Sequence, residues 1–283
     1  MEMFPLYAMN LLYTIATLGL IVLGLAVVFG FLGVMNMAHG EFIMIGAYSA
    51  VFVQQAGYYP LLAIPLALVV CAIVGWLVEW GIVRHLYRRP FDTLLATWGL
   101  AILMRKCIEI AFGRKYRSID QILPGTVGFA GIDYPSYRLA LMVAIALFFA
   151  ALFIWYRRSN TGARIKAMMS NPELAAAVGI DTARLARGAF VFGTCSAGLA
   201  GVLMAPLVRV EPYMGIDYLL SSFFVLVVGG LGSIQGLVTG AAVIGGTNVS
   251  ISTLSGATGG YLAVLLISIV FLWLKPNGIY SRG

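Results

Sequence analysis

The run of residues from Met3 to Gly40 constrains the fold of this chain more than any other feature. It contains no Asp, Glu, Lys or Arg, and one helix needs only about 20 apolar residues to cross a bilayer. The whole chain is 61% hydrophobic and 10% charged, whereas an ordinary soluble domain is about a quarter charged. The sequence therefore predicts an integral membrane protein, with the lipid bilayer as its surroundings.

The remaining apolar runs predict an all-α, polytopic helical membrane protein. The segment before the first run lacks a basic region and no A-x-A-like cleavage site follows, so we interpret the first run as a retained span. Further spans are predicted at residues 41–56, 61–83, 93–112, 139–156, 188–208 and 261–274. We expect a single transmembrane domain over residues 1–283 with eight or nine spans, some of them short or broken.

A break is expected in the nearly charge-free run that begins at Asp217. Glycines interrupt this run, and glycine allows either close helix approach or an unwound segment that lines a cavity. A phosphate-binding loop is excluded because no Lys followed by Ser or Thr comes after these glycines. The glycines to which we assign helix packing or a break are Gly229, Gly230, Gly232 and Gly236.

The polar loop of residues 157–187 contains six basic residues and a short helix with both ends specified. Asn171 can cap the first free N–H groups, Pro172 suits the first helical position, and Gly179 allows a left-handed stop. Glu173 favours the positive end of the helix dipole. The pattern predicts a helix over residues 172–178.

That helix is too short to be stable alone, because isolated helices become marginal only at about 12 to 15 residues. Packing must hold it in place. Leu174, Ala177 and Val178 share one face, which a soluble partner could contact. The candidate contact residues are Asn171, Pro172, Glu173, Leu174, Ala177, Gly179 and Asp181.

Basic residues favour one orientation in the membrane. If the 157–187 loop is cytoplasmic and nine spans alternate, eleven basic residues lie inside and five outside. The residues 84, 88 and 89 are then inside and the N-terminus is outside. The net charge of +7 therefore reflects membrane topology, and no sizeable soluble surface supports binding to nucleic acid.

Three polar side chains gather where the first span ends. Asn36, His39 and Glu41 lie within six residues of one another, and polar groups at membrane depth usually face a bundle interior or a wet cavity. They are candidates for a solute path. The alternative is a polar hairpin at the membrane surface, with these side chains solvated, and the spacing does not separate the two.

A second polar group follows the basic turn of residues 84–89. Asp92 is a candidate helix cap, and Thr97 and Trp98 then enter the span as candidates for the solute path. Trp near an interface is also typical of an aromatic belt. Ser222, in the run that begins at Asp217, is a further candidate for the path.

The span of residues 93–112 also contains an acid and a base. Arg105 and Glu109 are four residues apart, a spacing that brings two side chains onto the same helix face. We expect the pair to neutralise each other inside the bundle.

The composition gives little support to catalysis. Cys71, Cys107 and Cys195 lie singly in apolar segments, and the chain has only two histidines. A histidine-based metal site or a Ser-His-Asp triad would need partners that the sequence does not supply. We therefore expect that this chain is not an enzyme and that it holds no metal and no cofactor.

Three segments, in this order, resemble the permease subunits of ABC importers for branched-chain amino acids and related solutes. They are Asn36–Glu41, Asn171–Asp181 and Gly229–Gly236, and the resemblance covers nearly the whole chain. Such permeases carry a cytoplasmic loop with the pattern E-A-A, three residues, then G, which docks into the ATPase. Glu173 and Gly179 keep that spacing, but Leu174 replaces the first alanine and no I-x-L-P follows.

The resemblance implies several partners. These are a second permease that completes a heterodimeric channel, two cytoplasmic ATPases that bind ATP and Mg, and an extracytoplasmic binding protein. It also implies a bacterial-type cytoplasmic (inner) membrane. Within the family, the segments 34–36 and 93–99 look closer to the branch for urea and short amides than to the branch for leucine, isoleucine and valine.

The expected mechanism is alternating access, in which the loop helix carries the motion of the ATPases to the spans. Two other classes remain open: a passive urea or amide channel, and a secondary transporter driven by an ion gradient. A channel needs no docking helix. An ion-coupled carrier needs acidic groups deep in its spans, and only Glu79 and Glu109 approach that description.

Overall fold

The computed structural model describes residues 3–87, 89–129, 132–230, 234–275 and 278–280. Two residues of the sequence predictions, Arg88 and Gly232, lie outside this described part. The helices and strands are α1 (Met3–Leu32), α2 (His39–Gln55), α3 (Ala63–Gly81), α4 (Pro90–Phe112), β1 (Thr126–Phe129), β2 (Ile132–Pro135), α5 (Ser136–Arg158), α6 (Asn160–Ser170), α7 (Pro172–Ala177), α8 (Thr182–Met204), α9 (Met214–Gly229) and α10 (Ile234–Leu274).

The prediction of a polytopic helical membrane protein is confirmed. Within the described residues, five helical segments are long and apolar enough to cross a membrane: Phe4–Leu32, Pro60–His85, Ser136–Arg158, Thr182–Leu207 and Gln235–Leu274. Helix α9 is a shorter apolar helix, α2 has 17 residues, and α4 contains charged side chains. Helix α10 bends at Gly256, where φ is +78°, so its two halves form separate segments.

Helix α8 packs against α1, α2 and α3 at the centre of the bundle, and small residues make this packing possible. A methyl group on Gly46 of α2 would lie 2.0 Å from the carbonyl oxygen of Gly198. One on Gly201 would lie 1.9 Å from the carbonyl oxygen of Ile43. The backbones therefore touch directly, as is typical of helices that associate within lipid.

Helices α9 and α10 meet closely on either side of the glycine-rich segment. A methyl group on Gly229 would lie 1.9 Å from the carbonyl oxygen of Gly236, and one on Gly240 would lie 2.2 Å from that of Val225. Helix α9 ends at Gly229 and α10 begins at Ile234. These glycines thus combine close helix packing with a change of chain direction.

Helix α2 begins deep in the bundle. The chain turns back after Leu32, and the ring nitrogen Nε2 of His39 lies 2.9 Å from the carbonyl oxygen of Ile21. Ile21 precedes the end of α1 by 11 residues, or about 16 Å of helix. The polar segment before α2 therefore lies beside the interior of α1 and not beyond its end.

An antiparallel hairpin lies between α4 and α5, where the sequence predicted only a loop. Strand β1 pairs with β2 in the register Thr126↔Pro135 and Val127↔Tyr134. The strands have four residues each, which is too short for an alternating pattern to distinguish them from a turn-rich connection.

The prediction that Asp92 caps α4 is wrong. The helix begins at Pro90, the residue at the cap position is Arg89, and no side chain caps this end. Proline is well suited to the first helical position because its missing N–H is not needed there. Asp92 therefore lies within the first turn, 3.7 Å from Arg89 in an exposed ion pair.

We expect Gly46→Ala to destabilise the bundle by about 1 to 3 kcal/mol, because the new methyl group forces α2 away from α8. Gly99→Ala is the matched control, since a methyl group at this helical glycine meets no atom within 4 Å. Thermal unfolding in detergent measures both. Equal midpoints for the two variants would contradict the packing described here.

Candidate functional site

Helix α7 has the ends that its sequence predicts, although it is one residue shorter. The Asn171 side-chain oxygen accepts a hydrogen bond from the Leu174 N–H at 2.9 Å. The helix spans Pro172–Ala177, and Val178 occupies the C-cap position. Gly179 has a φ of +85°, a left-handed conformation that other residues adopt at a cost. Both ends are therefore fixed locally.

One face of α7 packs and the opposite face is exposed. Ala175 is buried in a small apolar cluster with Met168 of α6 and Ala186 of α8. Leu174 is 61% exposed and Val178 is 68% exposed. An apolar pair on the surface of a firmly held short helix is a candidate contact for another protein.

The helices on either side of α7 are also capped. Asp181 accepts a hydrogen bond from the Arg184 N–H at 2.8 Å at the start of α8. Ser159 accepts one from the Gly162 N–H at 2.9 Å at the start of α6. Sequence reasoning missed α6, although Ser159 is a candidate N-cap and good helix formers follow from Ala163 to Met169.

A buried carboxylate connects α3 to the beginning of α8. Glu79 is 1% exposed. One of its oxygens accepts a hydrogen bond from Arg187 Nε at 3.0 Å, and the other accepts one from the Tyr87 hydroxyl at 2.9 Å. Burial, and then the hydrogen bond to Glu79, raises the pKa of Tyr87 above its ordinary value. The tyrosine therefore donates as a neutral hydroxyl.

Tyr87 also packs against the cluster that holds α7. Tyr87 therefore contacts the cluster that contains Ala175, and its hydroxyl donates a hydrogen bond to Glu79. We call Glu79, Tyr87 and Arg187 the α3–α8 strut. Sequence reasoning named Glu79 but not its partners, because Arg187 lies 108 residues away along the chain.

The polar segment before α2 is buried and hydrogen-bonded. The Asn36 side-chain oxygen accepts a hydrogen bond from the Ala38 N–H at 3.0 Å. The Met37 N–H donates to the Thr97 hydroxyl at 3.1 Å. Asn36, His39 and Thr97 are each at most 3% exposed. The structure therefore favours burial in the bundle over a solvated hairpin at the membrane surface.

Glu41 forms an ion pair with Arg105 of α4, and the predicted pairing of Arg105 with Glu109 is wrong. Glu109 instead accepts from Lys106 Nζ at 2.8 Å and lies 3.4 Å from Arg114 Nε. Two other cations already neutralise Glu109. The buried carboxylate of Glu41 would have no counter-charge without Arg105, so the Arg105 side chain extends towards α2.

Two predicted path residues lie apart from this group. Trp98 is 56% exposed on the outer surface of the chain. Ser222 is buried, and its hydroxyl donates to the Tyr218 carbonyl within α9 at 2.7 Å. The structure thus brings together four of the six candidates: Asn36, His39, Glu41 and Thr97.

The bundle and its buried charges are those of a multi-pass membrane transport protein. A family model described as the permease component of branched-chain amino acid transport systems matches residues 7–274. The chain belongs to this family of permeases, which are transport subunits and not enzymes, and it is a multi-pass protein of the cytoplasmic membrane.

Known relatives agree with this assignment. The high-affinity branched-chain amino acid transport system permease protein LivH of Escherichia coli K12 is 28% identical over 98% of this chain and 96% of its own. The corresponding LivM protein of Salmonella typhimurium is 27% identical over 78% of this chain and 58% of its own. A solved structure, PsaBC from Streptococcus pneumoniae in complex with Fab, has the same fold, with a TM-score of 0.54 at 11% identity over 97% of this chain and 94% of that one.

We expect Glu79→Ala to lower the free energy of unfolding by about 2 kcal/mol, because it removes the buried carboxylate to which both Tyr87 and Arg187 donate hydrogen bonds. Asp92→Ala removes an acid from an exposed pair and should cost less than about 1 kcal/mol. Thermal unfolding of both variants in detergent tests this. A strut that contributes nothing would give the two variants the same midpoint.

Proposed function

We propose that this chain is one permease subunit of an ATP-driven importer, and that α7 is the segment that couples it to a separate ATPase. The observation that carries the proposal is the exposure of Leu174 and Val178 on a helix of six residues whose two ends are fixed. Such a helix transmits a push as a rigid body, whereas a loop would absorb it. The candidate coupling residues are Asn171, Pro172, Glu173, Leu174, Ala177, Gly179 and Asp181.

Two connections carry the motion of α7 to the membrane helices. The first is the apolar cluster that joins Ala175 to Met168 and Ala186. The second is the α3–α8 strut, in which Arg187 of α8 binds Glu79 of α3. Packed clusters and hydrogen-bonded charges move as units because neither deforms continuously. A displaced α7 would therefore move α8 and α3 together within the bundle, and alternating access requires such a movement of membrane helices.

The proposed partners follow from the family. A second permease would complete the pore, and the relatives LivH and LivM, each named as a permease of a branched-chain amino acid system, support this. Two cytoplasmic ATPases would bind ATP and Mg, and an extracytoplasmic binding protein would deliver the solute. This chain would bind neither ATP nor Mg.

The solute class that the family favours is branched-chain amino acids. A second candidate, urea or a short amide, is favoured by the sequence of residues 34–36 and 93–99. Thr97 of the second segment accepts a hydrogen bond from the N–H of Met37, the residue that follows the first segment. We propose that the two segments would contribute to the same part of a solute path.

A carrier driven by an ion gradient is less well supported. Such a carrier needs a buried acid that is free to bind and release its ion. Each of the buried acids Glu41, Glu79 and Glu109 already has a basic side chain beside it. A passive channel would leave the capped α7 without a role.

Uptake of radiolabelled leucine and urea into vesicles tests the proposed function. The vesicles contain this chain with and without the second permease, the ATPases and the binding protein, and with or without ATP. We expect uptake of one label only with the complete assembly and ATP. Urea uptake that needs neither partners nor ATP would overturn the importer proposal in favour of a channel.

We expect Leu174→Asp to reduce ATP-dependent uptake at least tenfold in the assembled transporter, because a carboxylate on the exposed face of α7 cannot enter an apolar docking surface. Leu174→Met is the matched control and should retain uptake, since it keeps an apolar side chain of similar volume. Uptake and bound ATPase are measured together. Unchanged uptake by Leu174→Asp would exclude α7 as the coupling segment.

A further inference from the structure

The ion pair between Glu41 and Arg105 has features that a purely structural pair does not need. The side chain of Glu41 is 3% exposed and that of Arg105 is 15% exposed. One oxygen of Glu41, Oε2, is buried, and the described residues offer it no hydrogen-bond donor. Arg105 Nε is likewise buried, and the described residues offer it no hydrogen-bond acceptor. The pair therefore has one acceptor, Glu41 Oε2, and one donor, the Nε–H of Arg105, that form no hydrogen bond among these residues.

Leaving such atoms unsatisfied is costly. A buried donor or acceptor without a partner costs about 1 to 3 kcal/mol, and more when the group is charged. An apolar pair of similar volume at these positions would usually be as stable or more stable. Ionisable groups at membrane depth are rare and usually mark the path of a solute or an ion.

The pair lies within the depth of the bundle. Arg105 lies about two turns before the end of α4, and Thr97, which binds the Met37 N–H, lies about two turns after its beginning. The segment from Met37 to Glu41 therefore follows the middle of α4. Near it, α9 begins against α2, since a methyl group on Gly40 would lie 1.9 Å from the carbonyl oxygen of Gly215.

One side of the pair lies close to the surface of the chain. The Arg105 guanidinium carbon lies 5.2 Å from the centre of the Tyr213 ring, and Tyr213 is 41% exposed. The side chain of Lys106, which is 48% exposed, lies 3.4 Å from the Tyr213 hydroxyl. A small shift of this ring would open the guanidinium to a solute.

We propose that Glu41 and Arg105 form a binding station for the transported solute, a small molecule that carries an N–H donor and a carbonyl or carboxylate oxygen close together. Glu41 Oε2 accepts from the solute nitrogen and Arg105 donates to the solute oxygen. An α-amino acid presents an ammonium and a carboxylate in this arrangement, and urea presents an amide N–H and a carbonyl. The proposal rests on the proposed function, because it names the solute contact of that same permease.

The test uses the complete transporter in proteoliposomes, with radiolabelled leucine and urea as probes. Glu41→Gln keeps the size of the side chain and removes its charge. If the solute is an amino acid, we expect this variant to raise the KM for leucine at least tenfold in a complex that still assembles. If the solute is urea, Arg105→Gln should raise the KM for urea at least tenfold, because the guanidinium is the main donor to its carbonyl.

Glu109→Gln is the matched control. Glu109 is also a buried acid on α4, 8% exposed, but its cations are Lys106 and Arg114. The Glu109→Gln variant should have a KM for the transported solute within twofold of the wild-type value. A general loss of stability would affect all three variants, whereas a binding station affects only Glu41→Gln and Arg105→Gln.

Where a single variant fails to assemble, the double variant Glu41→Gln/Arg105→Gln replaces it, because two amides can bond to each other without an unpaired charge. Loss of uptake by an assembled double variant supports the station. The proposal is overturned if the KM stays at the wild-type value for leucine in an assembled Glu41→Gln variant, for urea in an assembled Arg105→Gln variant, or for the transported solute in the assembled double variant. Failure of the wild type to take up either label with ATP would instead refute the proposed function.

Discussion

The close packing of α8 against its neighbours is the constraint on which the rest of the structure depends. Within lipid no hydrophobic driving force draws helices together, so association relies on close backbone contact and on polar bonds between helices. Gly46 and Gly201 allow α2 and α8 to touch, and α8 also packs against α1 and α3. These contacts also determine how the buried charges pair, because a charged side chain can pair only with a residue on a helix that packs nearby.

Each buried acid of the described bundle is matched to a cation, but the matches differ in completeness. Both oxygens of Glu79 are bonded, which suits a fixed strut between α3 and α8. Among the described residues, one oxygen of Glu41 has a hydrogen-bond donor and the other has none. A fully satisfied polar network rigidifies a structure, whereas a buried polar atom left unsatisfied is costly and calls for a specific explanation. The two pairs are therefore suited to different roles.

Local features of this chain could be predicted from the sequence, and long-range pairings could not. The caps and bounds of α7 depend on neighbouring residues such as Asn171 and Gly179, and these were predicted to within one residue. The end of α9 at Gly229 likewise falls where the glycines of the sequence predicted a break. Arg105 was assigned to Glu109 because the i, i+4 rule is local, whereas its real partner lies 64 residues away. That choice depends on where α2 begins, which no local pattern specifies.

Helix α8 packs against both α7 and α2, the helix that begins in the polar segment. Asp181 caps its first turn directly after α7, and Arg187 near its beginning pairs with Glu79 of α3. Its later turns carry Gly198 and Gly201, which touch the backbone of α2. Because backbone contacts this close leave no room for sliding, a rotation of α8 must move α2, and with it Glu41, relative to α4. A push on α7 and the environment of the Glu41–Arg105 pair are thus linked through a single helix.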